Sequence, residues 1–502
     1  MPNIGPFRFR GRGQKAEGKS NKEGLLSICI VSFFVLFILF AHTHHAYGAA
    51  KTWDGGGGNN LWSTAANWST DGVPTYQDDV TIGNGYSVLV GTNSVVANSV
   101  TINSGATLTV TGNTFQVNDT LTNDGTLTIS GTPNYSTVYK LVNHSNVNLS
   151  STTDGYAFFV AQAINTGTIT GNNTIRFQVS QTLDNSGTIT VNNRSTTFGY
   201  GFQFNSPSGN MINSGTIYSR GTADIMIYAD YTGATNYLDN NGGQIYTSSS
   251  GKISVAGKTV NRNSGEIYST STGVLEFQGQ VENNTSASIY TTSSSWITIF
   301  RYTQTDDEVI NNNGNIYYSG TGGISISLPI TNSNGGKIYS ESVVGYGGIS
   351  LGMVTNDGGQ IYTTDTGYLQ FNRDVENTNG GLIYVSGTDR GIYFYSDLVN
   401  DASTVYSTYG WLDVTGSLTN ENSAEFYVSD GNSNSKTISI GGSVTNNSSG
   451  RISIESGVGN IVVGGDFTNS NNSTLEHLDT GSIDIGGDFS NTLGSTLSGG
   501  TG

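Results

Sequence analysis

The sequence predicts an all-β protein: a single-stranded, right-handed parallel β-helix, or β-solenoid, of about 18 coils with a period near 22 residues. Three observations predict it. A phrase of the form GxIY recurs along most of the chain, as in "LDNNGGQIYTSSSGKISVAGK" (238–258) and, almost at once, "VNRNSGEIYSTSTGVLEFQGQ" (260–280). Within each repeat apolar residues alternate with polar ones and do not recur every third or fourth position, which is the pattern of short strands. The composition agrees: 502 residues with 69 Gly, 6 Pro and 11% charged residues favour strands and turns over helices. Regularly spaced apolar and aromatic residues supply the core that a disordered chain lacks.

The first element is a leader, residues 1–50. Arg8, Arg10, Arg12, Lys15, Lys19 and Lys22 precede the apolar run "LLSICIVSFFVLFILFA" (25–41), and "AYGAA" (46–50) offers small residues for cleavage. This pattern predicts an export signal; the rival reading is an uncleaved anchor, since the run sits at the lower edge of what spans a bilayer. Cys29 follows the bulky Ile28, so no lipid-attachment signal is read there. Beyond residue 50 the chain keeps 14 Lys and Arg against 35 Asp and Glu, a formal charge of −21, which argues against nucleic acid as a partner. It also has no cysteine, so packing and backbone hydrogen bonds must hold it together.

Residues 51–100 read as a cap and the first coils. "KTWDGGGGNNLWSTAANWSTDGVPTYQDDVTI" (51–82) places Trp53, Trp62 and Trp68 ahead of the repeats. A bare first coil presents an apolar layer and an unpaired strand edge, so a bulky aromatic cap is expected there.

The repeats fill residues 101–502. The apolar residue of GxIY marks each coil, from Leu108 and Leu127 through Ile245, Ile267, Ile289 and Ile316 to Leu497. Most gaps from Leu127 onward are 20 to 23 residues; those ending at Ile217, Ile245, Ile316 and Ile452 are 26 to 28 and read as units with a loop insertion. Three short strands fit each period, separated by Gly, Asn and Ser turns. In the sample stretch Ile253 and Val255, Val260, Ile267, Leu275 and Phe277, and Val281 are expected to face inward. One coil cannot bury enough apolar surface to offset the ordering of its backbone, so each coil needs neighbours and the pattern must repeat.

Two polar columns follow from the stacking. Asn recurs four residues before the markers at Asn123, Asn143, Asn165, Asn185 and Asn213 and, with small offsets, at Asn332, Asn356, Asn446 and Asn469; in a turn it can bond adjacent coils, a structural role. Immediately after the marker stand Tyr218, Tyr246, Tyr268, Tyr290, Tyr317, Tyr339, Tyr362, Tyr384, Tyr406 and Tyr427, which must point outward because they adjoin an inward residue. This stripe has two readings: cross-strand stacking that stiffens the sheet, and an aromatic platform that binds glycans or another protein. The earlier coils carry Thr128, Asn148, Thr170 and Thr190 at that position and the last ones Ser453, Glu476 and Ser498, a boundary that stiffening shared by all coils does not predict.

Trp53, Gly55, Trp62, Asn67, Trp68, Pro74 and Asp79, with "GTLTISG" (125–131), resemble segments of secreted bacterial β-helix proteins of the autotransporter passenger and adhesin type. The resemblance covers the leader, the cap and the coil grammar, and it implies surface display, adhesion or a structural role. The chain departs from that family at its end, "GSTLSGGTG", where no amphipathic barrel strands and no terminal aromatic residue appear. That leaves three expectations: a fragment, export by other machinery, or simple release. Membrane contact is then expected only through the export signal or a missing C-terminal anchor.

Parallel β-helices also carry polysaccharide lyases and hydrolases, which need clustered carboxylates. The best cluster is Asp306, Asp307 and Glu308 in "RYTQTDDEV", for which a solvated acidic loop is the plainer reading; Arg220, Asp224 and Asp230 lie in another enlarged unit about three coils away. His144 and His477 are too far apart in the coil count to share a site, and the pair Asp466 and Asp488 is too small a donor set for Ca²⁺. No zinc spacing or phosphate loop is present, and no cofactor or metal is expected. The sequence therefore predicts an exported, non-catalytic solenoid that binds glycans or proteins along its flank at the cell surface or outside the cell. A polysaccharide lyase or glycoside hydrolase is the alternative.

Overall fold

The strands predicted by the alternation are present, three to a coil. In the coil after Gly251 they are Ile253–Ala256, Lys258–Arg262 and Glu266–Ser269, each hydrogen-bonded in parallel to its counterpart one coil on. The computed structural model describes residues 48–502 apart from short segments, the longest being 131–135, 152–156, 194–200, 230–235, 302–306, 342–346 and 430–435. The leader reading falls on residues 1–47, which lie outside the described residues. Ala49–Gly502 is one unit. Among the described residues the only helix is the single turn Ala65–Asn67, and no helix is long and apolar enough to cross a membrane.

Stacking builds three sheets. The third carries the markers, from Ser87–Val90 to Thr496–Gly499, nineteen strands in one ladder spanning about 85 Å. Its register sets marker on marker: Val88 on Leu108, Leu108 on Leu127, and so on to Leu475 on Leu497. The solenoid thus begins one rung earlier than the repeat phrase reveals, at Val88. From Phe115 to Asn185 the first and second strands of each coil run together as one bent strand, with a register shift at the bend between Val117 and Thr120 and between Val160 and Gln162.

The tryptophans close the front. Trp68 receives Trp53 and Trp62 edge-on at 4.8 Å each, and Trp62 meets Phe115 at 6.4 Å, so the cap continues the aromatic packing of the core. Its backbone covers the front edges of the second and third sheets. Lys51 pairs with Val80, and Leu89 exchanges backbone hydrogen bonds with Asn60 and Trp62.

The asparagine column is longer than a fixed offset finds. Seventeen asparagines, Asn123 through Asn491, form an unbroken chain in which each Nδ2 donates to the Oδ1 of the next at 2.7–2.9 Å. All but Asn491 are buried. The second amide hydrogen goes to a backbone carbonyl of the following coil, as from Asn311 to Lys337 at 3.2 Å and from Asn446 to Thr474 at 2.9 Å. That carbonyl fixes which end of the amide is nitrogen, so every bond runs the same way. From Asn240 onward the turn between asparagine and marker grows by one or two residues, often with consecutive left-handed positions such as Asn263 (φ 55°) and Ser264 (φ 62°). This is why Asn240, Asn261, Asn283, Asn311, Asn377, Asn400, Asn420 and Asn491 escape a four-residue rule. At the front the column meets Ile102 in register, and Asn123 Oδ1 is buried with no donor.

One inward assignment is corrected. In Lys258–Arg262 the inward positions are Thr259 and Asn261, while Val260 lies in the outward column between Asp239 and Glu282. Thr259 stands in register between the core residues Leu238 and Val281, and its hydroxyl is buried without a partner. The apolar residue was the natural choice by hydropathy; register overrides it because two fixed neighbours set the alternation.

Two stability predictions follow from these columns. Thr259→Val removes an unpaired buried hydroxyl from an apolar layer and is expected to raise the unfolding free energy by about 1 kcal/mol, read as a higher urea midpoint; an unchanged or lower midpoint contradicts the assignment. Asn311→Leu cuts the chain of amides on both sides and is expected to cost about 2–4 kcal/mol, whereas Asn123→Leu, at the end already lacking a donor, is expected to cost clearly less. Equal losses in the two variants would show that the column is not a connected network.

Candidate functional site: a tyrosine ribbon

The third sheet places the ten tyrosines on one face because each follows a buried marker and the ladders are parallel and in register, Tyr218 opposite Tyr246 and so on to Tyr427. The rung spacing of about 4.8 Å falls within the centroid separation of offset-stacked aromatic rings, so register alone brings the rings together. All nine neighbouring pairs stack, with centroids 4.7–5.2 Å apart and planes within 3–11°.

This geometry turns the ring faces toward one another and leaves ring edges and phenol oxygens toward solvent. Tyr362 is outward yet only 8% exposed, because its neighbours cover it. A sugar therefore cannot lie on the faces of the interior rings. What the ribbon presents is a narrow, uncharged row of hydroxyls, with Gln244, Glu266, Ser288, Asn315, Lys337 and Gln360 beside it on the same strands.

Both ends of the row are closed by guanidinium groups. Arg220 lies 5.1 Å from the centroid of Tyr218, and Arg451 lies 6.0 Å from that of Tyr427 while bonding Glu455 at 2.8 Å. A cation over the terminal π face replaces the ring that is missing there. The row starts where Tyr218 faces Thr190 and stops where Tyr427 faces Ser453. The Thr-to-Tyr boundary seen in the sequence thus coincides with an arginine at each end.

Burial pushes the phenols up from the usual 10: to about 12 at Tyr268, Tyr384 and Tyr427, with adjoining tyrosines and acidic side chains such as Glu266 and Glu341 adding in the same direction. Tyr290 and Tyr339, inside the row, are pushed further for the same reason. The ribbon is neutral throughout the physiological range.

Among the described residues the other sequence candidates do not converge. Asp306 lies outside the described residues, as does Asp230; Asp307 and Glu308 precede the strand Val309–Asn312. Asp224 caps the backbone N–H of Lys252 at 2.8 Å, and Asp466 accepts the N–H of Asp488 at 2.8 Å, a coil-to-coil contact in place of a cation site. His144 pairs with Asp124 at 2.7 Å, and His477 is buried against the carbonyl of Gly459. Among the described residues no three His, Cys, Asp or Glu side chains are grouped to hold a metal. Sequence reasoning missed two depressions on the neighbouring first sheet. One, of about 310 Å³, sits at the bend of the long strands and is lined by Gln116, Asn118, Thr137, Tyr139, Phe159 and Ser180 among others. The second, of about 260 Å³, is lined by Arg301, Ser327, Pro329, Met353 and Arg373. No repeating phrase marks either one.

The family described as "Domain of unknown function (DUF8693)" matches residues 52–159, which hold the tryptophan cap and the first coils and end before the ribbon begins. No curated protein and no solved structure matches the chain.

The raised phenol pKa values carry a prediction with a definite sign. An unfolded tyrosine ionises near 10, and Tyr268, Tyr384 and Tyr427 only near 12, so their contribution is complete below about pH 10 and is lost as the pH climbs from there toward 12. The unfolding midpoint is expected to be level up to about pH 9 and to fall steeply by about pH 11. Phenolate absorbance of the folded chain should lag that of the chain in urea; coincident titrations would contradict the stacked, half-buried ribbon.

Proposed function

We propose that the chain is an exported, non-catalytic β-solenoid that acts as a cell-surface or extracellular adhesin or structural element, with the tyrosine ribbon as its axial stiffener. The observation that carries this reading is the set of nine consecutive ring stacks running alongside the asparagine column. Two independent side-chain columns crosslink successive coils where backbone ladders alone would hold them, which suits a rod that must bear load or project a binding face. The leader-like start supports export, and the formal charge of −21 beyond residue 50 suits a protein that keeps clear of nucleic acid. The partner class is a glycan or a surface protein.

Replacing Tyr268, Tyr290, Tyr317 and Tyr339 with Thr keeps strand propensity and removes the central rings without opening the core. The unfolding midpoint is expected to fall by several degrees, and adhesion to cells or glycans is expected to persist wherever the variant remains folded. Adhesion lost by a folded variant would make the ribbon itself the binding face. A glycan-cleaving activity that disappears in an Asp306→Ala, Asp307→Ala, Glu308→Ala variant would replace the non-catalytic reading.

A further inference from the structure

The front of the folded unit holds a buried carboxylate without an ionic partner. Asp78 is 7% exposed and stands just ahead of the strand Asp79–Ile82. Its Oδ2 accepts the backbone N–H of Thr75 at 2.7 Å and the Thr75 hydroxyl at 2.9 Å, and its Oδ1 accepts the backbone N–H of Ala49 at 2.9 Å. Burial works against the charge, but the hydrogen bonds from Thr75 and Ala49 and the nearby charge of Lys51 hold the Asp78 carboxyl below the usual carboxylate range. Lys51 does not complete a pair, because its Nζ bonds the Thr70 hydroxyl at 2.7 Å and the Ser69 carbonyl at 3.4 Å. Asp79, the adjoining carboxylate, is taken by Asn98 at 2.8 Å and Ser99 at 2.6 Å. Among the described residues no lysine, arginine or histidine forms a salt bridge with Asp78. A buried charge normally has a partner of opposite sign.

The atom that touches Asp78 Oδ1 lies where the leader meets the fold. Ala50–Thr52 pairs in parallel with Asp79 to Thr81, Ala50 on Asp79, and this register sets Ala49 beside Asp78. Ala49–Gly502 is the compact unit. In the sequence the apolar run 25–41 leads to Ala46, Tyr47, Gly48, Ala49 and Ala50, and a signal peptidase requires small residues one and three places before the bond it cuts. Two bonds in this stretch meet that rule: Gly48–Ala49, preceded by Ala46 and Gly48, and Ala50–Lys51, preceded by Gly48 and Ala50. The fold separates them. A cut at Ala50–Lys51 removes the donor to Asp78 and the first pair of the strand, whereas a cut at Gly48–Ala49 keeps both.

We propose that the leader is removed at the Gly48–Ala49 bond and that the α-ammonium group so created is the ionic partner of Asp78, latching the mature N-terminus to the cap. Hydrolysis breaks the bond between the Gly48 carbonyl carbon and the Ala49 nitrogen. Water gives its hydroxyl to that carbon and a hydrogen to the nitrogen, and the proton of the new carboxyl passes to the amine, leaving a carboxylate and an ammonium. A neutral amide donor at 2.9 Å thus becomes a charge-assisted one. Ala49 itself is exposed, which leaves the other ammonium hydrogens to water. The inference rests on the export reading and adds to it the bond that is cut and the physical reason for that choice.

The test is production of the full chain, with its own leader, in a bacterial secretion host. The exported protein is expected to begin at Ala49 by N-terminal sequencing and intact mass. Its α-amine, followed at the N-terminal peptide by mass spectrometry, is expected to be acylated at about pH 7.5 roughly tenfold more slowly in the folded protein than in urea or in an Asp78→Asn variant, because pairing keeps the amine protonated. The pH dependence of acylation in the parent alone gives the pKa of the amine, expected above the usual α-amino value of about 8, so the decision does not depend on the variant folding. An amine that titrates at the usual value overturns the proposal. Export with a first residue other than Ala49, or with the leader retained, overturns it too and leaves the export reading standing. A chain that stays inside the cell overturns both.

Discussion

Parallel, in-register stacking at one coil per rung is the constraint on which everything else in this molecule depends. It requires that equivalent residues sit on one another for the whole length of the ladder, so any side chain chosen for one coil is judged by its fit to copies of itself. Apolar markers satisfy this by packing, asparagines by donating and accepting in series, and tyrosines by ring contact. A residue with no self-complementary mode, such as a charged one, must leave the column or find a partner in a neighbouring one. Arg262 does so with Asp239 at 2.7 Å, and Lys258 with Glu282 at 2.6 Å.

The same constraint separates stiffness from recognition. Where the tyrosines follow one another without a gap they consume their own faces, and the row becomes a structural rib closed by Arg220 and Arg451. Where an aromatic residue has no copy of itself in the next coil, as at Trp296 and Gly323 on the first sheet, the ring stays partly exposed. A repeat protein can thus give adjacent sheets different surfaces simply by changing how often one residue type recurs.

Most of the architecture was legible in the sequence because the marker and the tyrosine beside it share one strand and keep constant phase, and the ladder from Leu127 to Leu497 holds that phase. The features that escaped are those whose phase drifts or whose signal is not repeated. The asparagine offset changes as turns acquire left-handed residues; Val88 lies in a rung without the phrase; Thr259 and Val260 exchange the polarity expected of them. The face-to-face stacking of the tyrosines needs the rung spacing and not only the list of residues.

The uniform direction of the asparagine bonds gives the solenoid an electrical sense. Backbone hydrogen bonds between coils point both ways along the axis and largely cancel, as in other sheets. The side-chain amides all point the same way, oxygen toward the tryptophan cap and nitrogen toward the last coil. If each carries a dipole near the peptide value of about 3.5 D over a step of about 4.8 Å, the column behaves as a line with about 0.15 elementary charge at its ends, negative at Asn123. This is a ferroelectric wire in miniature: no single amide can reverse without setting oxygen against oxygen on one side and nitrogen against nitrogen on the other. Solenoids lying side by side are therefore favoured, by this term, in opposite senses.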